Sequence, residues 1–163
     1  MNGRGWIMRQ VSIRCLPALF LALLACGDTN ELSSSTPDRA QFAMEVYPVL
    51  LRDCAFHACH GSTERFLQVF GPGRGRIAAD ILALDPATDA EISHSYDRAR
   101  SMIDTQAIDR SLLLRKPLAV SAGGTGHEGA DDLGRNVYQS KTEPDYAVIT
   151  RWVYGPAAVP ATR

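Results

Sequence analysis

Four of the residues best suited to chemistry lie within seven positions, in Asp53-Cys54-Ala55-Phe56-His57-Ala58-Cys59-His60-Gly61. Three chemistries can use them. A Cys54–Cys59 disulfide would close a short loop and stabilise by about 2 kcal/mol on the loop-entropy estimate. Zinc could take Cys54, His57, Cys59 and His60 as four N/S ligands, although that spacing is tighter than the paired spacings of ordinary zinc sites. Covalent haem could add two thiols to its vinyl groups, which puts the histidine after the second cysteine under the iron. The common spacing for that chemistry is Cys-x-x-Cys-His; here it is Cys-x4-Cys-His.

These side chains must be positioned by helices. Thr36-Pro37-Asp38 reads as an N-cap, a first-turn proline and an acid at the positive helix end. Phe42, Val46, Val49 and Leu50 then repeat at helical spacing, with Tyr47 and Leu51 widening the face. Pro48 should kink or interrupt this helix near its middle. The helix thus delivers Cys54 and Cys59 to a turn that leaves through Gly61. A middle helix is expected over 89–102, with Ile92, Tyr96, Ala99 and Ile103 on one face and Arg98 and Arg100 solvated. Thr142-Glu143-Pro144-Asp145 opens a last helix whose face is Tyr146, Ile149, Trp152 and Val153, ended by Gly155-Pro156. Phe42, Tyr47, Phe66 and Trp152 are expected in the core. The fold class is all-α, with long loops.

Between the helices stand Ser111-Leu112-Leu113-Leu114-Arg115-Lys116-Pro117 and Gly123-Gly124-Thr125-Gly126-His127-Glu128-Gly129. With the helix, Cys…Cys-His-Gly, and Asp145-Tyr146-Ala147-Val148-Ile149-Thr150-Arg151-Trp152, this order resembles the cytochrome c-like domains of environmental bacteria. The resemblance runs from Gln41 to Gly155. It departs in the longer cysteine spacing and in Ala130, where a glycine often follows. It implies a small cytochrome c-like domain with covalent haem c: Cys54 and Cys59 as thioether sites, His60 as proximal ligand and His127 as distal ligand. Gly126 and Gly129 would let the backbone approach the porphyrin. Two histidines imply a six-coordinate, low-potential iron that carries electrons and offers no substrate site, so an enzyme is not expected. Met102 and Met44 are the alternative axial donors, though methionine in a helical pattern is more simply core filler. His57 and His94 read as exposed. Phe70-Gly71-Pro72-Gly73-Arg74-Gly75-Arg76 lacks the ending of a phosphate loop and reads as a turn whose arginines could at most pair with haem propionates. No nucleophile-elbow pattern surrounds Ser111, so Ser111 and His127 are not a hydrolase pair.

The N-terminus fits an exported protein. Arg4, Arg9 and Arg14 precede an apolar run from Cys15 to Ala25 that is too short for a permanent membrane helix. Its end, Leu23-Leu24-Ala25-Cys26, resembles the bacterial lipoprotein signal, which implies cleavage before Cys26 and lipidation of that cysteine. Several acyl chains on one residue hold a protein firmly to a membrane. The expected organisation is a signal peptide over 1–25, a lipidated polar tether over 26–37, the domain over 38–156 and a tail over 157–163. The tether has too little apolar surface to offset its ordering entropy. The domain is large enough for one core.

The 163-residue chain has a net charge of −1, and without the three signal arginines 14 basic residues face 18 acidic ones, net −4. No basic cluster lies on a helix, so the expected partners are a redox protein and, through the anchor, a membrane, not nucleic acid. The other reading of the same residues is a haem-free structural or binding lipoprotein of the cell envelope with a Cys54–Cys59 disulfide.

Overall fold

Pro48 has no N–H to give, and its ring would collide with the carbonyl four residues back. The chain answers with a wide turn. In the structure, a computed structural model that describes residues 36–127 and 137–155, α1 (Arg39–Gln41) passes into a π-helical turn over Phe42–Val46 and then into α2 (Tyr47–Asp53). The Tyr47 N–H reaches back to Phe42 O, five residues away. Pro48 therefore sits in the first turn of α2, directly after the π turn. The expected interruption takes the form of a π turn, which leaves one continuous helical rod.

The remaining elements are α3 (Asp89–Arg100), a 3-10 turn at Ile108–Arg110, α4 (Leu112–Arg115), a 3-10 turn at Val120–Ala122 and α5 (Pro144–Tyr154). The described residues carry no strands, only an isolated parallel bridge between Leu118 and Tyr138, so the chain is all-α. The signal peptide, Cys26, most of the tether, Gly129, Ala130 and the tail lie outside the described residues. No described helix is long and apolar enough to cross a membrane.

Three helices meet at an aromatic cluster. Phe42 lies 5.1 Å from Trp152 and 5.5 Å from Tyr96, centroid to centroid, and the last two are 6.1 Å apart. Phe42 and Trp152 are fully buried. Their polar edges are satisfied: Trp152 Nε1 donates to Asp38 O at 2.8 Å, and the Tyr96 hydroxyl donates to Pro37 O at 2.7 Å. Both bonds hold the start of α1. Asp38, rather than Thr36, caps that helix by accepting from the Gln41 N–H, and Pro37 precedes the helix instead of opening it. Trp152→Ala should cost about 3–5 kcal/mol in urea denaturation, because it empties the point where α1, α3 and α5 converge.

The chain between α2 and α3 is a long loop without helix, held by one buried ion pair. Arg76 gives Nε to Glu91 Oε1 at 2.7 Å and Nη2 to Oε2 at 2.9 Å, and its other N–H groups reach the carbonyls of Leu82, Asp85 and Pro86. All five guanidinium donors are thus used. Glu91 is wholly buried and also accepts from Ile77 N and from Thr88, with which it forms the capping box of α3. Arg74 instead caps α2, donating to Leu51 O and Arg52 O. Neither arginine is thus spare for a propionate, as the sequence reading had allowed. Phe66 is another departure from expectation: it is 61% exposed, beneath the Arg98 guanidinium at 5.6 Å. Met44 is exposed as well, whereas Met102 packs against the core.

Candidate functional site

Helix α2 ends at Cys54, and the motif folds back on that end as a tight turn. His60 N–H donates to Cys54 O at 3.0 Å, while Cys59 N–H and Gly61 N–H both reach Phe56 O. Gly61 is packed so closely that a Cβ there would stand 2.3 Å from Ala55 O, and a Cβ on Gly75 would stand 2.3 Å from Gly61 O. Backbone, not a yielding side chain, is the obstacle in each case. Gly61→Ala is therefore expected to displace the turn and lose about 1–3 kcal/mol of stability, read as a lowered urea midpoint.

The ring of His60 is oriented by the loop that follows. Its Nδ1 lies 3.0 Å from Leu67 O, and the return of the loop is fixed by Val69 N–H on His60 O at 2.8 Å. A carbonyl only accepts, so Nδ1 bears the proton and Nε2 keeps a bare lone pair. A backbone carbonyl behind the imidazole is the usual support of a metal-binding histidine.

His127 arrives from the glycine loop, whose two ends are pinned. Tyr138 N–H donates to Pro117 O and Ala119 N–H to Tyr138 O, at 2.9 and 2.8 Å. Gly124 lies against the preceding turn, where a Cβ would fall 1.8 Å from Leu118 O. Lys116 Nζ donates to Gly126 O at 3.0 Å, and Thr125 N–H to Arg115 O at 2.9 Å. The Lys-Pro motif thus clamps the residue just before His127. Around Gly126 a Cβ would meet no atom of the described residues within 4 Å.

These supports bring the two histidines together. The rings of His60 and His127 are stacked, with centroids 6.0 Å apart and planes 28° from parallel. The separation is that of two imidazoles on opposite sides of one metal ion, with metal–nitrogen bonds of about 2 Å and ring radii on the order of 1 Å, an arrangement that requires each ring to turn a nitrogen toward the metal. Burial lowers the pKa of both histidines. In His127 the neighbouring His60, Lys116 and Arg65 lower it further, and in His60 the bond to Leu67 O opposes the effect. The shift in each case favours the neutral ring, the form that ligates.

Cys54 and Cys59 are free thiols. Cys54 belongs to the core cluster at 8% exposure, and burial, then Asp53 and Cys59, push its pKa up to about 12. Such a thiol is a poor nucleophile in the folded protein. Cys59 is half-buried and His57 exposed. Among the described residues no group of three or more His, Cys, Asp or Glu side chains could hold a metal ion, so the four-ligand zinc set is not assembled there. His94, read as exposed, is half-buried with Nε2 2.7 Å from Gln68 Oε1.

Sequence reasoning missed the Leu67 carbonyl, because a backbone acceptor has no residue-type signature. It also missed Arg76–Glu91, although Thr88-x-x-Glu91 is a legible capping-box pattern. In comparisons with models of known protein families, with curated proteins and with solved structures, nothing matches this chain.

Proposed function

We propose that this chain is a c-type cytochrome-like electron carrier, lipid-anchored through Cys26 and facing the periplasm or exterior. The supporting observation is the approach of His60 and His127, 67 positions apart in sequence, to a 6.0 Å centroid separation. The motif supports the same reading, since Cys54 and Cys59 flank the stretch that leads to His60.

Bound haem supplies one-electron iron chemistry; the protein fixes its ligands and limits water at the metal. His60 would ligate through Nε2, held in that tautomer by Leu67 O. His127 would be the second ligand, carried by the Lys116-clamped loop. Cys54 and Cys59 would hold the haem covalently, each as a thioether. Because Cys54 is buried and un-ionised in the folded domain, covalent attachment is expected before the core closes. With His60 and His127 both holding the iron, the haem would supply one-electron transfer to and from a partner protein.

The test is the absorption spectrum of mature protein produced with a haem-maturation system. A Soret band that persists with the polypeptide on a denaturing gel supports the reading. Colourless protein from cells that mature another c-type cytochrome normally contradicts it.

A further inference from the structure

Beside α5 lies a cleft of about 510 Å³ that the paired histidines do not line. Three cations reach it from three separate segments: Arg115 from the end of α4, Lys141 from the turn before α5, and Arg151 from the last turn of α5. The apolar part of the wall includes Leu114, Leu118 and Tyr146, all buried. The one carboxylate in the wall, Asp109, accepts the Tyr154 hydroxyl.

Helix electrostatics account for only part of this arrangement. A cation in the last turn of a helix is favourable, which suits Arg115 and Arg151. Lys141 is three residues before Pro144, at the positive end of α5, where a cation is unfavourable. A Cβ on Gly123 would come 3.7 Å from its Nζ, so the ammonium reaches the cleft's edge. Among the described residues neither Arg115 nor Lys141 has an ion-pair partner; Arg151 has only Glu45, at 3.7 Å. Unpaired cations gathered over an apolar wall match an amphipathic anion, and the volume is that of a small-molecule site.

We infer that the α4–α5 cleft binds a small organic oxyanion, a carboxylate or phosphate ester with an apolar body, its charge against Arg115 and Lys141 and its body on Leu114 and Tyr146. This inference is independent of haem.

Mature protein is titrated with sodium benzoate and with phenyl phosphate, against sodium chloride at equal ionic strength, while amide resonances are followed by NMR. At least one probe should shift Ala147 and Thr150 saturably, with a dissociation constant below ~1 mM. The Arg115→Ala/Lys141→Ala double variant, checked for an unchanged melting temperature, should bind it at least tenfold more weakly. If that variant melts early, Lys141→Ala alone is used, because an exposed turn residue tolerates truncation. Shifts equally produced by chloride, or an affinity that survives loss of the cations, would overturn the inference.

Discussion

Glu91→Ala is expected to destabilise the domain by about 3–5 kcal/mol, the cost of leaving a buried charge without its partner. Arg76 would keep its guanidinium at 7% side-chain exposure with the carboxylate gone. A loss of that size is a large share of the stability of a domain this long. The same pair makes stability depend on pH. Burial alone would raise the Glu91 pKa, but hydrogen bonds from Arg76, Thr88 and Ile77 outweigh it and bring the value to about 2, from an ordinary 4.5. A carboxylate depressed by folding contributes fully above its unfolded pKa, and the contribution is lost as pH falls through the folded one. Urea titrations should therefore show wild type and Glu91→Gln converging between about pH 5 and pH 2. A gap constant over that range would mean that the ion pair contributes nothing through its charge. The site should respond too, because the loop that Arg76 fixes also supplies the carbonyl behind His60.

His127→Met is expected to raise the reduction potential of the haem-loaded protein, since thioether ligation stabilises the reduced iron. A rise on the order of a tenth of the ~0.8 V that axial ligands span is the expected scale. His127→Ala should instead leave one axial position open and shift the Soret band toward that of five-coordinate iron. Cys54, Cys59 and His60 are untouched by either change, so haem content should hold. Spectroelectrochemistry reads potential and ligation in one experiment. An unchanged spectrum and potential in both variants would remove His127 from the iron and leave the 6.0 Å ring approach without a metal-binding role.

Much of the fold could be read from apolar spacing, because helical periodicity is local. The faces containing Phe42, Tyr96 and Trp152 are buried as their spacing requires. The exact start of α1 was not legible: Thr36 and Asp38 are both capping types, and only tertiary bonds to Pro37 O and Asp38 O decide between them. Phe66 misled for a related reason. An aromatic in an irregular loop has no periodicity to assign its face, and here the Arg98 guanidinium covers it. At the site, motif and order alone point to His60 and His127. Their convergence depends on contacts between distant segments, including the Leu118–Tyr138 bridge and the Lys116 bond to Gly126 O. The arginines of the glycine-rich turn looked available because their partners, a buried glutamate and two helix-end carbonyls, are non-local.

The most direct measurement is the intact mass of the mature protein purified from an envelope fraction. The account predicts a chain beginning at Cys26, heavier by its acyl groups and by one haem, with neither Cys54 nor Cys59 open to thiol alkylation after denaturation. A mass without haem, accompanied by two alkylatable cysteines or by a Cys54–Cys59 disulfide, would contradict it.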